Sequence, residues 1–311
     1  MRIVSWNCKK GLNSKEKDKK LFELAPDIAI IQESFHPSDF NKDIKYEDAI
    51  WVGEEKKNGL GICVLSLSKD YQLSVLVQDV KYEWIVPIKI TGKEDFTLIA
   101  VWTKRMPGFS YGKVLFSALE EYGSFIKNRP VIIMGDFNLD KRVPSSYTGI
   151  GGYKKMMDLF EGYGLKSCYH SLSNEEFGSE GQATYYHYGK MDKPFHIDYC
   201  FVSEDILQSM EQFKIGLGKE YLPFSDHVPL VLEFTLGLNN ISEKPTSDET
   251  ILKGPITRKS DAEEHKIEKI IITPEILKQE YQLKIDNEIV TVDEIEEVIK
   301  FIKSLRIMRN L

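Results

Sequence analysis

The sequence predicts an α+β protein built as two packed sheets with helices on their outer faces. Three observations predict it. Short, apolar, β-branched runs recur from the N-terminus to Phe234. Between residues 50 and 103 these runs follow one another through short turns, the pattern of antiparallel sheet. Stretches of helical period interrupt the runs and can cover the sheets. With 311 residues, 42% of them apolar, and four Trp, the chain can bury a large core. One large domain with a small appendage fits that length better than two equal domains.

In chain order, Arg2 to Trp6 is a strand ending at Asn7. Asn13 with Glu16 three residues on forms a capping-box pattern that opens a helix to about Leu24, and Pro26 stops it. Asp27 to Ile31 is a second apolar strand, ending in Gln32 and Glu33. Strands follow at Ile50–Gly53, Gly59–Ser66, Gln72–Val77, Trp84–Ile90 and Phe96–Thr103. Gly92 and the charged Lys93-Glu94-Asp95 mark a hairpin turn between the last two. Residues 111–127 carry helical spacing through Val114, Leu115, Ala118, Leu119 and Phe125. Val131 to Met134 is a buried strand. Residues 152–162 read as a helix with Met156, Met157, Leu159 and Phe160 inward. Phe195 to Ser203 is a further strand, with His196 and Asp198 on one face, and Leu230 to Phe234 closes the domain.

Composition changes after about Phe234. Residues 1–236 form the main domain, residues 237–265 read as a polar linker, and residues 266–311 regain order as a small unit. Ile270 to Ile272 and Tyr281 to Ile285 look like strands, with Asp286-Asn287 as a turn. A helix over 292–305, opened by Thr291 and Glu294, would bury an apolar face. So small a unit is expected to dock, self-associate or bind a partner.

The formal charge of −7 argues against a strongly basic nucleic-acid coat, though not against a local basic rim around acidic ligands. Cys8, Cys63, Cys168 and Cys200 are too few and scattered for a disulfide scaffold, and their spacing does not suit a zinc site. No segment is apolar enough to span a membrane, so a soluble, cytoplasmic protein is expected.

The chemistry centres on VIIMGDFN, Val131 to Asn138. In an extended segment Asp136 and Asn138 point one way and Phe137 the other, while Gly135 lets the backbone approach a neighbour closely. A carboxylate and an amide at the mouth of a buried strand suit water activation or phosphate handling; the competing reading is a simple turn. Other polar residues also end or enter apolar strands: Asn7, Glu33, Asp198, Asp226 and His227. A carboxylate such as Glu33 is costly to bury at a strand end without a partner, which makes it a candidate metal ligand.

The order Ser-Trp-Asn, Gln-Glu, Gly-Asp-Phe-Asn, His-Ile-Asp-Tyr, Ser-Asp-His resembles the endonuclease/exonuclease/phosphatase superfamily over about residues 1–235. That resemblance implies a four-layer α/β/β/α sandwich of two mainly antiparallel sheets, and divalent-metal-dependent cleavage of a phosphoester. It implies that Glu33 and Asp226 hold Mg²⁺, with Mn²⁺ as the alternative, and that Asn7 stands with them, binding phosphate or metal-bound water. Asp136 would orient or deprotonate the attacking water, helped by Asn138. His227 would bond a phosphate oxygen, with Asp198 fixing its tautomer and favouring its charge. General chemistry agrees: Mg²⁺ takes oxygen ligands, and an Asp beside an imidazole raises its pKa.

The sequence departs from the family in three places. Trp102 and Thr103 stand where a His or Tyr is common, so the leaving oxygen would be protonated by metal-bound water or stabilised by Lys104 or Arg105. Lys9 stands where exonuclease III-like members carry an acid, which weakens the case for a second metal. Lys9, Lys104 and Arg105 are candidate phosphate contacts, and Tyr186, in the run Tyr185 to Tyr188, a candidate base-stacking residue. His196 stands before Ile-Asp where the family frequently has Arg, and reads as a packed strand-face histidine rather than a catalytic one. A nuclease is the first expectation. A phosphatase or phosphodiesterase on a small molecule or lipid headgroup is the alternative, and the full acidic set argues against a purely binding module.

Overall fold

The computed structural model describes residues 1–12, 14–54, 59–77, 79–82, 84–106, 108–127, 129–141, 153–237, 270–271, 282–285 and 288–291. Two six-stranded mixed sheets face each other. The first contains β1 (Arg2–Asn7), β2 (Ile28–Ser34), β3 (Asp48–Gly53), β4 (Gly61–Ser66), β13 (Met210–Ile215) and β14 (Leu230–Phe234), in the order β13-β14-β1-β2-β4-β3. The second contains β5 (Tyr71–Val75), β6 (Ile85–Gly92), β7 (Phe96–Trp102), β8 (Val131–Asp136), β9 (Lys166–Ser167) and β12 (Asp198–Val202), in the order β5-β6-β7-β8-β12-β9. A two-stranded ribbon pairs β10 (Tyr185–Tyr186) with β11 (Pro194–Phe195).

Each sheet has one parallel pair, β1 with β2 and β7 with β8, and is otherwise antiparallel. A parallel neighbour requires a crossover, and helices supply it. α1 (Lys15–Phe22) joins β1 to β2, and α2 (Tyr111–Glu121) with α3 (Gly123–Ile126) joins β7 to β8. The Asn13 position of the expected capping box lies outside the described residues; Ser14 caps α1, accepting from the Lys17 N–H.

Period-2 alternation sorts the side chains into layers. On β8, Ile132, Met134 and Asp136 alternate with Val131 and Ile133. Ile132 and Met134 join the core shared with the first sheet, where Phe96 meets Phe234 edge-to-face at 5.6 Å. Val131, Ile133 and Phe137 join a second core under α2, α3 and α4 (Tyr153–Gly162), which inserts Met156 and Phe160. On the other side of the molecule Trp6 packs at 5.4 Å on Tyr221 of α7, a short helix at Gly218–Tyr221. The result is the helix–sheet–sheet–helix sandwich.

Several elements differ from the expectation. The helix over 111–127 breaks into α2 and α3. The strand expected over 195–203 divides, because β11 pairs with β10 while β12 pairs with β8, so His196 and Asp198 face different surroundings. α5 (Cys168–Ser173), α6 (Glu204–Ser209) and the edge strand β13 carry no clean period and were not predicted. All four cysteines are free and buried.

The chain divides into two compact units, 1–259 and 260–311. Within the second, β15 (Ile270–Ile271), β16 (Gln282–Ile285) and β17 (Glu288–Thr291) form an antiparallel sheet. β17 was not predicted, and the expected turn at 286–287 and helix over 292–305 lie outside the described residues.

Candidate active site

The topology brings polar residues from positions 7 to 227 to one edge. The parallel pairs set two C-terminal strand ends side by side, Asn7 next to Gln32 and Trp102 next to Asp136. β12 runs antiparallel to β8, so its first residue, Asp198, lies opposite Asp136. β14 runs antiparallel to β1, so the Asp226-His227 segment before it arrives beside Asn7. Open α/β sheets likewise collect their ligands at the carboxyl ends of parallel strands.

Irregular backbone then aims the side chains. At Gly135 φ is +150°, and a Cβ there would run into the Val101 carbonyl oxygen, so only glycine lets β8 approach β7 this closely. β2 shifts register between Ile31 and Ser34, with Glu33 at φ +53°. Such a bulge re-aims a side chain at a cost of about 1–3 kcal/mol. Here it places the Glu33 carboxylate 3.3 Å from the Asn7 amide nitrogen. Lys9, Lys10 and Gly11 form a run of left-handed residues, at φ +48°, +69° and +67°. The buried Lys17 ammonium of α1 clasps that loop, donating to the carbonyls of Cys8 at 2.6 Å and Lys9 at 2.7 Å. Burial lowers the Lys17 pKa, against the nearby Glu33 and Asp226 charges that favour its protonated form.

The most buried part is a carboxylate–imidazole–carboxylate chain. His227 Nδ1 lies 3.0 Å from Asp198 Oδ2, and His227 Nε2 lies 3.9 Å from Asp136 Oδ2. Burial by itself would lower the His227 pKa. Asp198 and Asp136 outweigh it and lift the imidazole to about 9. Burial, together with Asp198, raises Asp136 to about 7 against the pull of His227, the Asn7 amide and the Asn138 N–H. Thr184 Oγ1 fixes the approach to Asp198 by accepting its N–H at 3.0 Å. Ser225 Oγ donates to the Asn7 carbonyl at 2.6 Å and accepts the His227 N–H at 3.2 Å, tying the Asp226-His227 segment to β1. Among the described residues, Asp136, Asp198 and His227 are the group of three whose ligand atoms lie within 4.8 Å of one another. Beside two carboxylates the imidazole favours its charged form, in which both ring nitrogens carry protons, and this form links the two acids through one hydrogen bond and one ion pair.

Two of the expected placements, those of Asn138 and Tyr186, need correction. Asn7, expected to stand with the metal ligands, accepts the Lys9 N–H on its amide oxygen at 3.1 Å and donates from its nitrogen to Asp136 at 3.0 Å and to Glu33. Its place is between the two carboxylates, orienting both. Asn138 does not aim alongside Asp136: φ of +51° ends the extended alternation, its N–H donates to Asp136 Oδ1 at 2.9 Å, and its side chain donates to the Thr103 carbonyl at 3.0 Å. Tyr186 turns its ring into the core against Gly218, whereas Tyr185, on the opposite face of β10, sets its ring 4.6 Å from His227. Burial, then Asp226 and Asp136, push the Tyr185 phenol up to about 12, so it stays a donor.

The remaining candidates have these places. Asp226 pairs with Lys9, Nζ to Oδ2 at 3.1 Å. Lys104 lies over the rings of Trp84 at 3.7 Å and Trp102 at 4.7 Å, and Arg105 is exposed with its guanidinium over Tyr111 at 5.2 Å. His196 is buried, bonded to the Gln182 carbonyl at 2.7 Å and packed on Tyr169 and Tyr199, and burial lowers its pKa. Sequence reasoning missed Ser225, Lys17 and Thr184 as site residues. Ser225 had a signal, since it opens the Ser-Asp-His tripeptide; the other two had none.

This fold is the DNase I-like four-layer sandwich, the fold that the motif order implied. Among solved structures, the chain is similar to the endonuclease domain of TRAS1, a telomere-specific non-LTR retrotransposon, with a TM-score of 0.54 and 18% identity over 76% of this chain and 98% of that one. It is also similar to the 3′ phosphatase NExo from Neisseria bound to product DNA hairpin, with a TM-score of 0.55 and 20% identity over 75% of this chain and 99% of that one. The 3′-5′ exonuclease NExo from Neisseria meningitidis gives a TM-score of 0.55 and 18% identity over the same shares. No family model matches the sequence, and no curated protein does.

Proposed function

We propose that the chain is a divalent-metal-dependent phosphoesterase that hydrolyses phosphodiester bonds of nucleic acid by in-line attack of water. The observation that carries this is the convergence of Glu33, Asn7, Asp136, Asp198, Asp226 and His227 on one edge of the sandwich. The solved structures it is similar to point the same way: they are an endonuclease domain, an exonuclease and a 3′ phosphatase bound to a DNA hairpin.

The donor set suits a hard divalent ion. Glu33 and Asp226 offer carboxylate oxygens, and Asp226 already engages a cation, the Lys9 ammonium. Glu33 and Asp226 would hold Mg²⁺ or Mn²⁺, and the ion when bound supplies neutralisation of phosphate charge. The chain's own residues do the rest. Asp136, held by the Asn7 amide and the Asn138 N–H, takes the proton of the attacking water. Its pKa near 7 suits a base at neutral pH. The His227 imidazolium, fixed by Asp198, presents its Nε2 proton to a phosphate oxygen.

A polymeric substrate is favoured by the β10–β11 hairpin. Its base hydrogen-bonds the Asp226 carbonyl through the Tyr186 N–H at 2.8 Å, and its tip exposes Tyr188 by 74% and Met191 by 55%. Lys190 and Lys193 flank them, with Lys193 Nζ 5.7 Å from the Tyr188 ring. Exposed aromatic and basic residues together are what stacking and phosphate contact require. The test is a panel of DNA, RNA and small phosphoesters, each with Mg²⁺, with Mn²⁺ and with EDTA. Metal-dependent cleavage of polynucleotide is expected, with an affinity that falls steeply with salt. Undiminished turnover in excess EDTA would sink the reading, and turnover confined to small phosphoesters would replace nucleic acid by the smaller substrate class.

A further inference from the structure

We propose that Lys9 is a built-in cation of the active site: it neutralises Asp226 until a divalent ion arrives, then yields Asp226 to the ion and turns to the substrate phosphate. This rests on the functional reading above and adds a residue to it.

The observation is the Lys9–Asp226 pair, Nζ to Oδ2 at 3.1 Å. It joins residues 217 positions apart, and its partners differ in freedom. The Asp226 side chain is 18% exposed, while that of Lys9 is 54% exposed. The carboxylate is therefore enclosed by the site, while the ammonium has open solvent to turn into. The Lys9 backbone, in contrast, is held on every side. Its N–H donates to the Asn7 amide oxygen, its carbonyl accepts from buried Lys17, and it opens the left-handed run through Lys10 to Gly11. That backbone also lies beside Asn7, which bridges Glu33 and Asp136. A clamped backbone with a mobile ammonium delivers one positive charge to a fixed radius around the site.

Electrostatics set the direction of the exchange. A divalent ion outbids an ammonium for a carboxylate because it carries twice the charge and makes a direct oxygen contact. The freed ammonium stays within its tether and meets the next negative group to enter, the phosphate. As the displaced ion pair is partly exposed, its loss costs little. No covalent step is involved; one ionic contact exchanges for two others.

The experiment measures Mn²⁺ binding by electron paramagnetic resonance on the full-length protein, beside steady-state kinetics at saturating Mg²⁺. Lys9→Met keeps the unbranched stem and removes the charge. It should bind Mn²⁺ about 2- to 5-fold more tightly, since the ion no longer competes with an ammonium whose exposed ion pair is worth about fivefold at most. It should also raise KM for a phosphodiester substrate with little change in kcat. Lys9→Arg, which keeps the charge, should hold Mn²⁺ affinity near wild type, and circular dichroism should show both variants folded. Mn²⁺ affinity unchanged or weakened in folded Lys9→Met would overturn the proposal. If Lys9→Met does not fold, tighter binding by Lys9→Gln takes its place as the deciding result. Failure of the wild type to bind Mn²⁺, with turnover surviving EDTA, would instead remove the functional reading beneath it.

Discussion

The replacement of Asp198 by Asn tests the relay at the heart of the site. The side chain keeps its size but loses its charge, 3.0 Å from His227 Nδ1. The lift of His227 from an ordinary 6.5 to about 9 corresponds to about 3 kcal/mol in favour of the imidazolium. Burial opposes that lift, so without Asp198 the histidine should titrate at or below 6.5. At pH 8 the charged fraction would fall from about nine-tenths to about 3%, a loss of about 30-fold in kcat/KM from protonation state alone. Wild type needs Asp136 ionised, above about 7, and His227 charged, below about 9, so its profile should be bell-shaped between those values. In Asp198→Asn the alkaline limb should move down to the acid limb. Stability should follow with a definite sign. His227 has a folded pKa above its unfolded one, so its contribution is complete below about pH 6.5 and lost as pH rises through 9. Asp136 resists ionisation in the fold, so its cost enters as pH rises from about 4 to 7. The assay is a ¹⁵N-detected titration of the imidazole nitrogens in metal-free protein, with urea unfolding at pH 6 and pH 10. A midpoint that stays near 9 in Asp198→Asn would refute the reasoning. Additive losses in the Asp198→Asn, His227→Ala double variant would do so too, since groups acting as one unit lose activity once.

Asp136→Asn should keep Mn²⁺ binding while losing at least two orders of magnitude in kcat; near-normal kcat would show that another group takes the water's proton. Glu33→Ala should lose both ion binding and turnover, with wild-type circular dichroism, as measured by calorimetric titration. Gly135→Ala should destabilise the fold by about 2–4 kcal/mol in urea unfolding, because its Cβ meets the Val101 carbonyl and φ is +150°; a change below about 0.5 kcal/mol would contradict that account. A chain ending at Gly237 retains β14 and every candidate site residue, so it should fold and cleave a short model phosphodiester at the full-length rate; loss of that cleavage in a folded, ion-binding protein would place the C-terminal unit in the active site.

Much of this architecture was legible in one dimension. The continuous apolar, β-branched runs of β1, β2, β7 and β8 are local signals, because a strand covered on both faces is apolar along its length. Gly135 was readable as a close approach because only glycine tolerates one, and Asp136, Glu33, Asp198 and His227 stood out because polar groups at buried strand ends need partners. The edge strand β13 escaped because its sequence, Met-Glu-Gln-Phe-Lys-Ile, is half exposed and lacks a clean alternation.

By itself the sequence determined most of the strands of the two sheets and the polar groups that stand at their ends, since each follows from a handful of neighbouring residues. Tertiary structure alone decided how those groups meet. The left-handed bulge at Glu33 turns its carboxylate to Asn7, and the ribbon register sends Tyr185 rather than Tyr186 to His227. Lys17 reaches across to the Lys9 loop, and Lys9 finds Asp226 from the far end of the domain. Hydrogen bonds and ion pairs act over about 3 Å between residues hundreds of positions apart. No local period encodes that distance; it exists only once the two sheets have packed and the strand ends share one edge.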